Sequence, residues 1–135
     1  MNISDKIIKK LKMIPHPEGG YFVESFRDKS NAVSLIYYLL KKNQISHWHR
    51  LTKNEILHFY QGDPLDISIS CDGKAIEKIT LGKNIYNNEN MHFVVNANSW
   101  FSMKTKGEFS LIGCTVSPAF SYQDFEIAPQ NWKPS

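Results

Sequence analysis

The sequence holds only two cysteines, Cys71 and Cys114, so one disulfide is the most it can form. Small secreted scaffolds that replace a thin core with cross-links carry many more. The opening Met1-Asn2-Ile3-Ser4-Asp5-Lys6 leads into mixed lysine and isoleucine, without the long apolar run of a secretory leader. Both thiols are therefore expected to be reduced and the protein cytoplasmic. No stretch approaches the roughly 18–20 apolar residues that a membrane helix needs, so no membrane partner is expected. Charge of one sign is also scarce: 16 Lys and Arg against 13 Asp and Glu leave +3. The basic residues are dispersed and no arginine–aromatic strand motif appears, which argues against nucleic acid as a partner. There is no internal repeat and no low-complexity tract. These absences exclude a fibre, a disulfide scaffold, a membrane protein and a nucleic-acid binder.

What is present is core material. Hydrophobic residues make up 41% of the chain and aromatics 13%, richer than a disordered chain affords. With 135 residues the chain is expected to form one domain over 1–135. A domain of this size buries roughly two-thirds of its unfolded surface. Cys114 sits in the apolar run Leu111-Ile112-Gly113-Cys114 and reads as core.

The spacing of Ile7, Ile8, Leu11 and Ile14 predicts a helix over about 4–14, with Ser4 as its N-cap and Pro15 as its stop. Lys6, Lys9, Lys10 and Lys12 form its solvated face. Beyond Pro15 the period becomes two. Strands are predicted over 21–27, 33–40, 46–49, 55–61, 65–70, 75–81, 92–95, 100–105 and 109–116. Turn residues fill the gaps, and Asp72-Gly73 between two alternating runs signals a hairpin. Short strands at regular spacing without helical crossovers indicate an all-β antiparallel sandwich or barrel over about 20–127, followed by an irregular tail pinned by Trp132.

Chemistry-bearing side chains concentrate in Ser46-His47-Trp48-His49-Arg50, followed by Glu55 and His58. On a regular strand His47 and His49 share a face and Trp48 takes the other. Two imidazoles and a carboxylate from the next strand, His47, His49 and Glu55, make a three-ligand divalent-metal set. The alternative is no metal, with one histidine in a polar pocket. A base near neutral pKa together with an acid suits proton abstraction beside a carbonyl, for which His49, Glu55, His58, Tyr37 and Tyr60 are candidates. Arg27 and Arg50 are suited to an anion, and Trp48 and Trp100 to stacking or to filling space. Parity along 55–61 places Glu55 and His58 on opposite faces unless a bulge intervenes. Glu18 lies in a Pro/Gly loop, a usual location for function. His16, between two prolines, reads as structural, and His92 as exposed.

His47-x-His49, then Glu55, then Gly62, resembles the first signature motif of the cupins, with five residues between His49 and Glu55 and Lys41 at the usual leading glycine. The second motif, Pro-x-Gly-x-x-His, corresponds to Asn96-Ala97-Asn98-Ser99-Trp100-Phe101, so the fourth ligand of a metal cupin is replaced by Phe101. A closer resemblance joins Pro15-His16-Pro17-Glu18-Gly19-Gly20-Tyr21-Phe22-x-Glu24, Ile36-Tyr37-Tyr38-Leu39-Leu40, Trp48-His49-Arg50, Glu55-Ile56-x-His58-Phe59-Tyr60-x-Gly62-Asp63-Pro64-Leu65 and Gly113-Cys114-Thr115-Val116-Ser117-Pro118-x-Phe120. In these words the chain is identified as a member of the type-5 cupins. The resemblance implies a single-domain double-stranded β-helix, a jelly-roll sandwich with a short N-terminal helix, that generally forms homodimers. Glu18-Gly19-Gly20-Tyr21-Phe22-Val23-Glu24-Ser25 is also similar to the opening of the deoxysugar-nucleotide epimerases, which share the fold and use a histidine base and a tyrosine acid.

The resulting expectation is a polar pocket for a small, sugar-like or anionic molecule, serving an isomerase or epimerase. His49, Glu55 and Tyr37 would be catalytic. Glu18, Glu24, Arg27, Trp48, Arg50, His58, Tyr60 and Trp100 would bind the ligand. Two alternatives stand beside it: a cupin that binds without turnover, and a metal-dependent enzyme using His47, His49 and Glu55.

Overall fold

Alternation of apolar and polar side chains carries nearly half of the chain into strands, and a computed structural model describes all of residues 1–135. Helix α1 spans Ile3–Leu11. Its cap is Asn2, whose side chain accepts from the Asp5 amide, rather than Ser4. Pro15 disfavours helical backbone at Ile14, and the helix closes before it, at Lys12 in a left-handed cap with φ 58°. Ile14 therefore leaves the helical stripe and joins Pro15 in a two-residue strand, β1.

The other strands are β2 (Tyr21–Arg27), β3 (Ser34–Lys41), β4 (Ser46–Leu51), β5 (Glu55–Gly62), β6 (Leu65–Ser70), β7 (Glu77–Leu81), β8 (His92–Val95), β9 (Trp100–Thr105), β10 (Phe109–Val116) and β11 (Phe125–Ile127). All nine predicted strands are present. Phe125–Ile127 adds a further one by pairing with β4. The strands form two antiparallel sheets, a six-stranded one in the order β1-β2-β3-β10-β5-β8 and a five-stranded one in the order β11-β4-β9-β6-β7. Several neighbours in these sheets are distant in sequence, β3 and β10 or β4 and β9 for example, as in a jelly roll. The Asp72-Gly73 turn is present, with the Asp72 carboxylate accepting from the amides of Lys74 and Ala75.

Two apolar clusters organise the sandwich. Tyr38, Leu40, Leu57, Ile67, Phe101 and Ile112 belong to the one that seals one half of the space between the sheets. The second lies outside the six-stranded sheet, where Ile7, Ile8 and Leu11 of α1 cover Leu39, Phe109 and Leu111. The lysine face of α1 is left to solvent, as amphipathic patterning requires. The inner half beyond Leu57 and Ile112 is not filled, and the candidate site occupies it.

Gly62 ends β5 at φ +95°, where an added Cβ would lie 2.4 Å from the Phe109 carbonyl oxygen. Neither the dihedral nor the contact suits another residue. Gly62→Ala is expected to lower stability by about 1–3 kcal/mol, read as a shifted urea midpoint with an unchanged slope.

Candidate active site

Strand parity places the first acidic group. On β5, Glu55 and Leu57 face inward, while Ile56, His58 and Tyr60 face outward, since Glu55 pairs with Val116 and Leu57 with Cys114 in a regular antiparallel register. Leu57 is wholly buried in the core, so Glu55, two residues along, projects into the same inner space.

A bulge places the histidine. Ser46 pairs with Met103 and His49 with Phe101 across β4 and β9, so β4 carries one residue too many between them. Ser46 and His49 consequently both point inward, and the alternation that would put His47 beside His49 is broken. His47 turns outward and its Nε2 meets the Pro129 carbonyl at 3.0 Å. The set His47, His49 and Glu55 expected for a metal is therefore not assembled, and no three histidine, cysteine or acidic side chains are grouped closely enough to hold an ion.

Glu18 supplies the partner that Glu55 was expected to be. It is buried in the loop before β2, and its Oε2 lies 2.7 Å from His49 Nδ1. The same oxygen accepts from the Ser46 hydroxyl at 2.5 Å. Its Oε1 lies 3.3 Å from His16 Nδ1. The Tyr38 hydroxyl fastens the loop by donating to the Gly19 carbonyl. Gly19 and Gly20, at φ +113° and +77°, let the backbone double back where a Cβ would collide with the Ile45 carbonyl at Gly19 and the Leu39 carbonyl at Gly20. His49 Nδ1 faces two acceptors, Glu18 Oε2 and the His47 carbonyl at 2.7 Å, which assigns the proton to Nδ1. Nε2 makes no hydrogen bond within the protein and is presented to the cavity.

The electrostatics follow from this geometry. Burial pushes the Glu18 carboxyl toward its neutral form, but the adjoining His49, with His16 and the Ser46 hydroxyl, holds it below the usual glutamate value. Burial likewise opposes charge on His49, and the Glu18 and Glu55 carboxylates overcome it, so its pKa is raised. His16 is lowered by burial against a partial offset from Glu18. Glu55 lacks such support: burial and the Glu18 charge raise its pKa from 4.5 to about 7, against the opposing pull of His49 and of the Cys114 thiol. Burial and the nearby Glu55 raise the Cys114 thiol well above its ordinary value, so it is a hydrogen-bonding wall and no nucleophile.

The cavity these groups line has a volume of about 150 Å³. Phe22, Ile36, Leu51, Val116, Phe120 and Phe125 form its sides. Glu24 and Arg27 stand at its mouth. They are three residues apart, yet both face the cavity, because β2 also bulges between Glu24 and Phe26. The Arg27 guanidinium grips both oxygens of Glu24 at 3.0 Å and donates to the Phe120 carbonyl.

Several expected site residues lie elsewhere. Tyr37 is on the outer face of the six-stranded sheet, its ring centroid 5.8 Å from that of Tyr60. Its neighbour Tyr38 is the one directed inward. His58 is also on the outer face, bonded to the Thr115 hydroxyl at 2.9 Å and stacked on Tyr60. Trp48, Trp100 and Arg50 lie outside the five-stranded sheet. Trp132 packs on both indoles, and Arg50 sits 4.3 Å over Trp100 while pairing with Glu126. Of the expected residues, Glu18, Glu24, Arg27, His49 and Glu55 are gathered at the cavity. His16 and Cys114 join them without having been anticipated there, although the loop that contributes Glu18 also carries His16.

The pKa of Glu55 has a measurable consequence. Its carboxyl ionises less readily in the folded protein than in the unfolded chain, so its favourable contribution is complete below pH 4.5 and is lost as pH rises through about 7. The interval from 4.5 to about 7 corresponds to about 3 kcal/mol. Glu55→Gln is expected to be more stable than the parent by this amount at about pH 9 and equal to it near pH 4, measured as paired urea titrations.

The family model described as Cupin superfamily (DUF985) matches residues 5–128. A protein of solved structure from Shewanella oneidensis is 35% identical, with a TM-score of 0.90 over 96% of this chain and 87% of that one. A hypothetical protein from Leishmania major is 28% identical, with a TM-score of 0.87 over 97% of this chain and 90% of its own. Oxalate decarboxylase of Bacillus subtilis is 14% identical, with a TM-score of 0.68 over 84% of this chain and 29% of its own, a likeness of fold alone. Nothing among the curated proteins matches.

Proposed function

The chain belongs to the family Cupin superfamily (DUF985), and on that premise we propose that it is an acid–base catalyst that isomerises or epimerises a small carbonyl compound in the cavity between its sheets. One observation carries the reading: the imidazole of His49 is oriented by a buried carboxylate at 2.7 Å, and a second buried carboxyl, Glu55, ionises near pH 7 in the same cavity. An imidazole oriented by a buried carboxylate, beside a carboxyl that exchanges its proton near neutral pH, supplies the base and the acid that such a proton transfer needs.

Glu18 fixes the ring and balances its charge. His49 Nε2 takes a proton from the carbon beside the carbonyl. The electron pair of that C–H bond forms a carbon–carbon double bond, and the π pair of the carbonyl moves to oxygen, which receives the proton of Glu55 and becomes an enol hydroxyl. His49 then returns its proton to carbon while the enol hydroxyl gives its proton back to Glu55; reprotonation on the other face of the carbon gives the epimer, both residues are restored, and no oxidant or co-reactant is consumed. Tyr38, whose hydroxyl is engaged by Gly19, takes no part beyond holding the loop. A metal is not required by these steps.

Solvent deuterium exchange tests the reading. A panel of small ketones, aldehydes, hydroxy acids and monosaccharides is incubated in deuterated buffer and followed by NMR. Exchange catalysed by the parent and lost in His49→Gln is the expected result. A ligand that raises the melting temperature yet exchanges no proton with solvent would identify instead a binding protein without turnover.

A further inference from the structure

We propose that the cavity accepts an uncharged, compact carbonyl compound of about the bulk of a six-membered ring and rejects carboxylates, phosphates and nucleotides. The inference builds on the acid–base reading of the same site and narrows the ligand, which the sequence had left as sugar-like or anionic.

The exclusion of anions comes from the bookkeeping of charge along the walls. The floor carries two carboxyl groups, Glu18 and Glu55. The partner of the first is already in place as the Nδ1 of His49, 2.7 Å away. Arg27 is the guanidinium at the mouth, and four of its five N–H groups are engaged: Nε and one terminal nitrogen hold the two oxygens of Glu24, the latter nitrogen also donates to the Phe120 carbonyl, and the other donates to the Asn31 side chain at 3.3 Å. Arg50, the other arginine considered for an anion, is committed to Glu126 on the far side of its sheet. An incoming anion thus finds carboxylates and no uncompensated cation. Removing its hydration shell without a counter-charge is prohibitive.

A cation finds Glu18 already paired with His49 and Glu24 already paired with Arg27, and apolar side chains take up half of the lining. Those walls specify the body of the ligand. Six apolar side chains, Phe22 and Phe125 among them, surround a polar floor of His49 and Glu55. A volume of about 150 Å³ is that of a cavity able to hold benzene, and it leaves no room for a nucleoside diphosphate. The complementary molecule has an apolar edge toward the phenylalanines and a single carbonyl directed at the floor.

Matched ring compounds decide the matter. Cyclohexanone, cyclohexanecarboxylate and cyclohexylammonium are compared by saturation-transfer NMR on the full chain at pH 7, with deuterium incorporation beside the ketone recorded in the same samples. Cyclohexanone is expected to bind at least tenfold more tightly than either ion. Tighter binding of an ion than of the ketone, or no binding of the ketone, overturns the proposal. Ketone binding without deuterium incorporation leaves the proposal standing and sinks the catalytic reading instead.

Glu24→Gln supplies an independent check at an exposed pair whose change should not disturb folding. It releases the Arg27 guanidinium, so the affinity for cyclohexanecarboxylate is expected to rise about tenfold. A carboxylate affinity that stays as weak as in the parent shows that charge balance is not what excludes anions.

Discussion

Glu18→Ala is expected to lose about 3–5 kcal/mol of stability, the cost of removing one member of a buried ion pair. The substitution leaves His49 without its carboxylate and the Ser46 hydroxyl without its acceptor, although both are almost wholly buried. It also frees His16 of its contact with Oε1. The melting temperature should drop by about 10 °C or more. Glu18→Gln keeps an acceptor for Ser46 and should lose less. The pH dependence has a definite sign. Glu18 is held below its ordinary value, so its contribution is complete above pH 4.5 and disappears as pH falls through its folded value. The penalty of Glu18→Ala should accordingly shrink in acid. A loss under 1 kcal/mol at neutral pH would show that the loop is not held through this carboxylate.

His49→Gln is expected to reduce the rate of deuterium exchange by about 10²–10⁴, the usual contribution of a general base. The side chain of glutamine can still donate to Glu18, so the fold should survive and the loss should fall on kcat rather than KM. Glu55→Gln should slow the same reaction and remove the limb of the pH–rate profile that falls on the alkaline side of about 7. Exchange that persists within tenfold in His49→Gln would place the base elsewhere.

Much of the architecture was legible in the sequence because strand periodicity is a local property. Each of the nine expected strands recurs within a few residues of its predicted ends, and the tail is anchored by Trp132 as anticipated. The parity that sets Glu55 and His58 on opposite faces holds, since β5 keeps strict alternation through that stretch, and it takes His58 away from the cavity where it was expected to bind the ligand. The errors cluster where alternation breaks. The bulge on β4 sends His47 away from His49, and that on β2 brings Glu24 and Arg27 to one side. Such an extra residue is fixed by the register against the partner strand, β9 or β3, and leaves no mark in the strand's own pattern. Tyr37 and Tyr38 were indistinguishable for a related reason: β3 is buried on both faces in part, by the inner core and by α1, so both tyrosines sit in an unbroken apolar run. Glu18 reaches His49 from a loop, and only the folded chain brings positions 18, 46 and 49 together.

The indole arrangement gives the molecule a built-in reporter. The chain has three tryptophans, and Trp132 touches both of the others, while the walls of the cavity contain none. Ultraviolet emission therefore originates from one spot, and its wavelength follows the seating of the last few residues on the five-stranded sheet. Fluorescence that reddens during a denaturant titration before the circular dichroism changes would reveal that the C-terminus peels away first, a step that a single-probe melt would conceal.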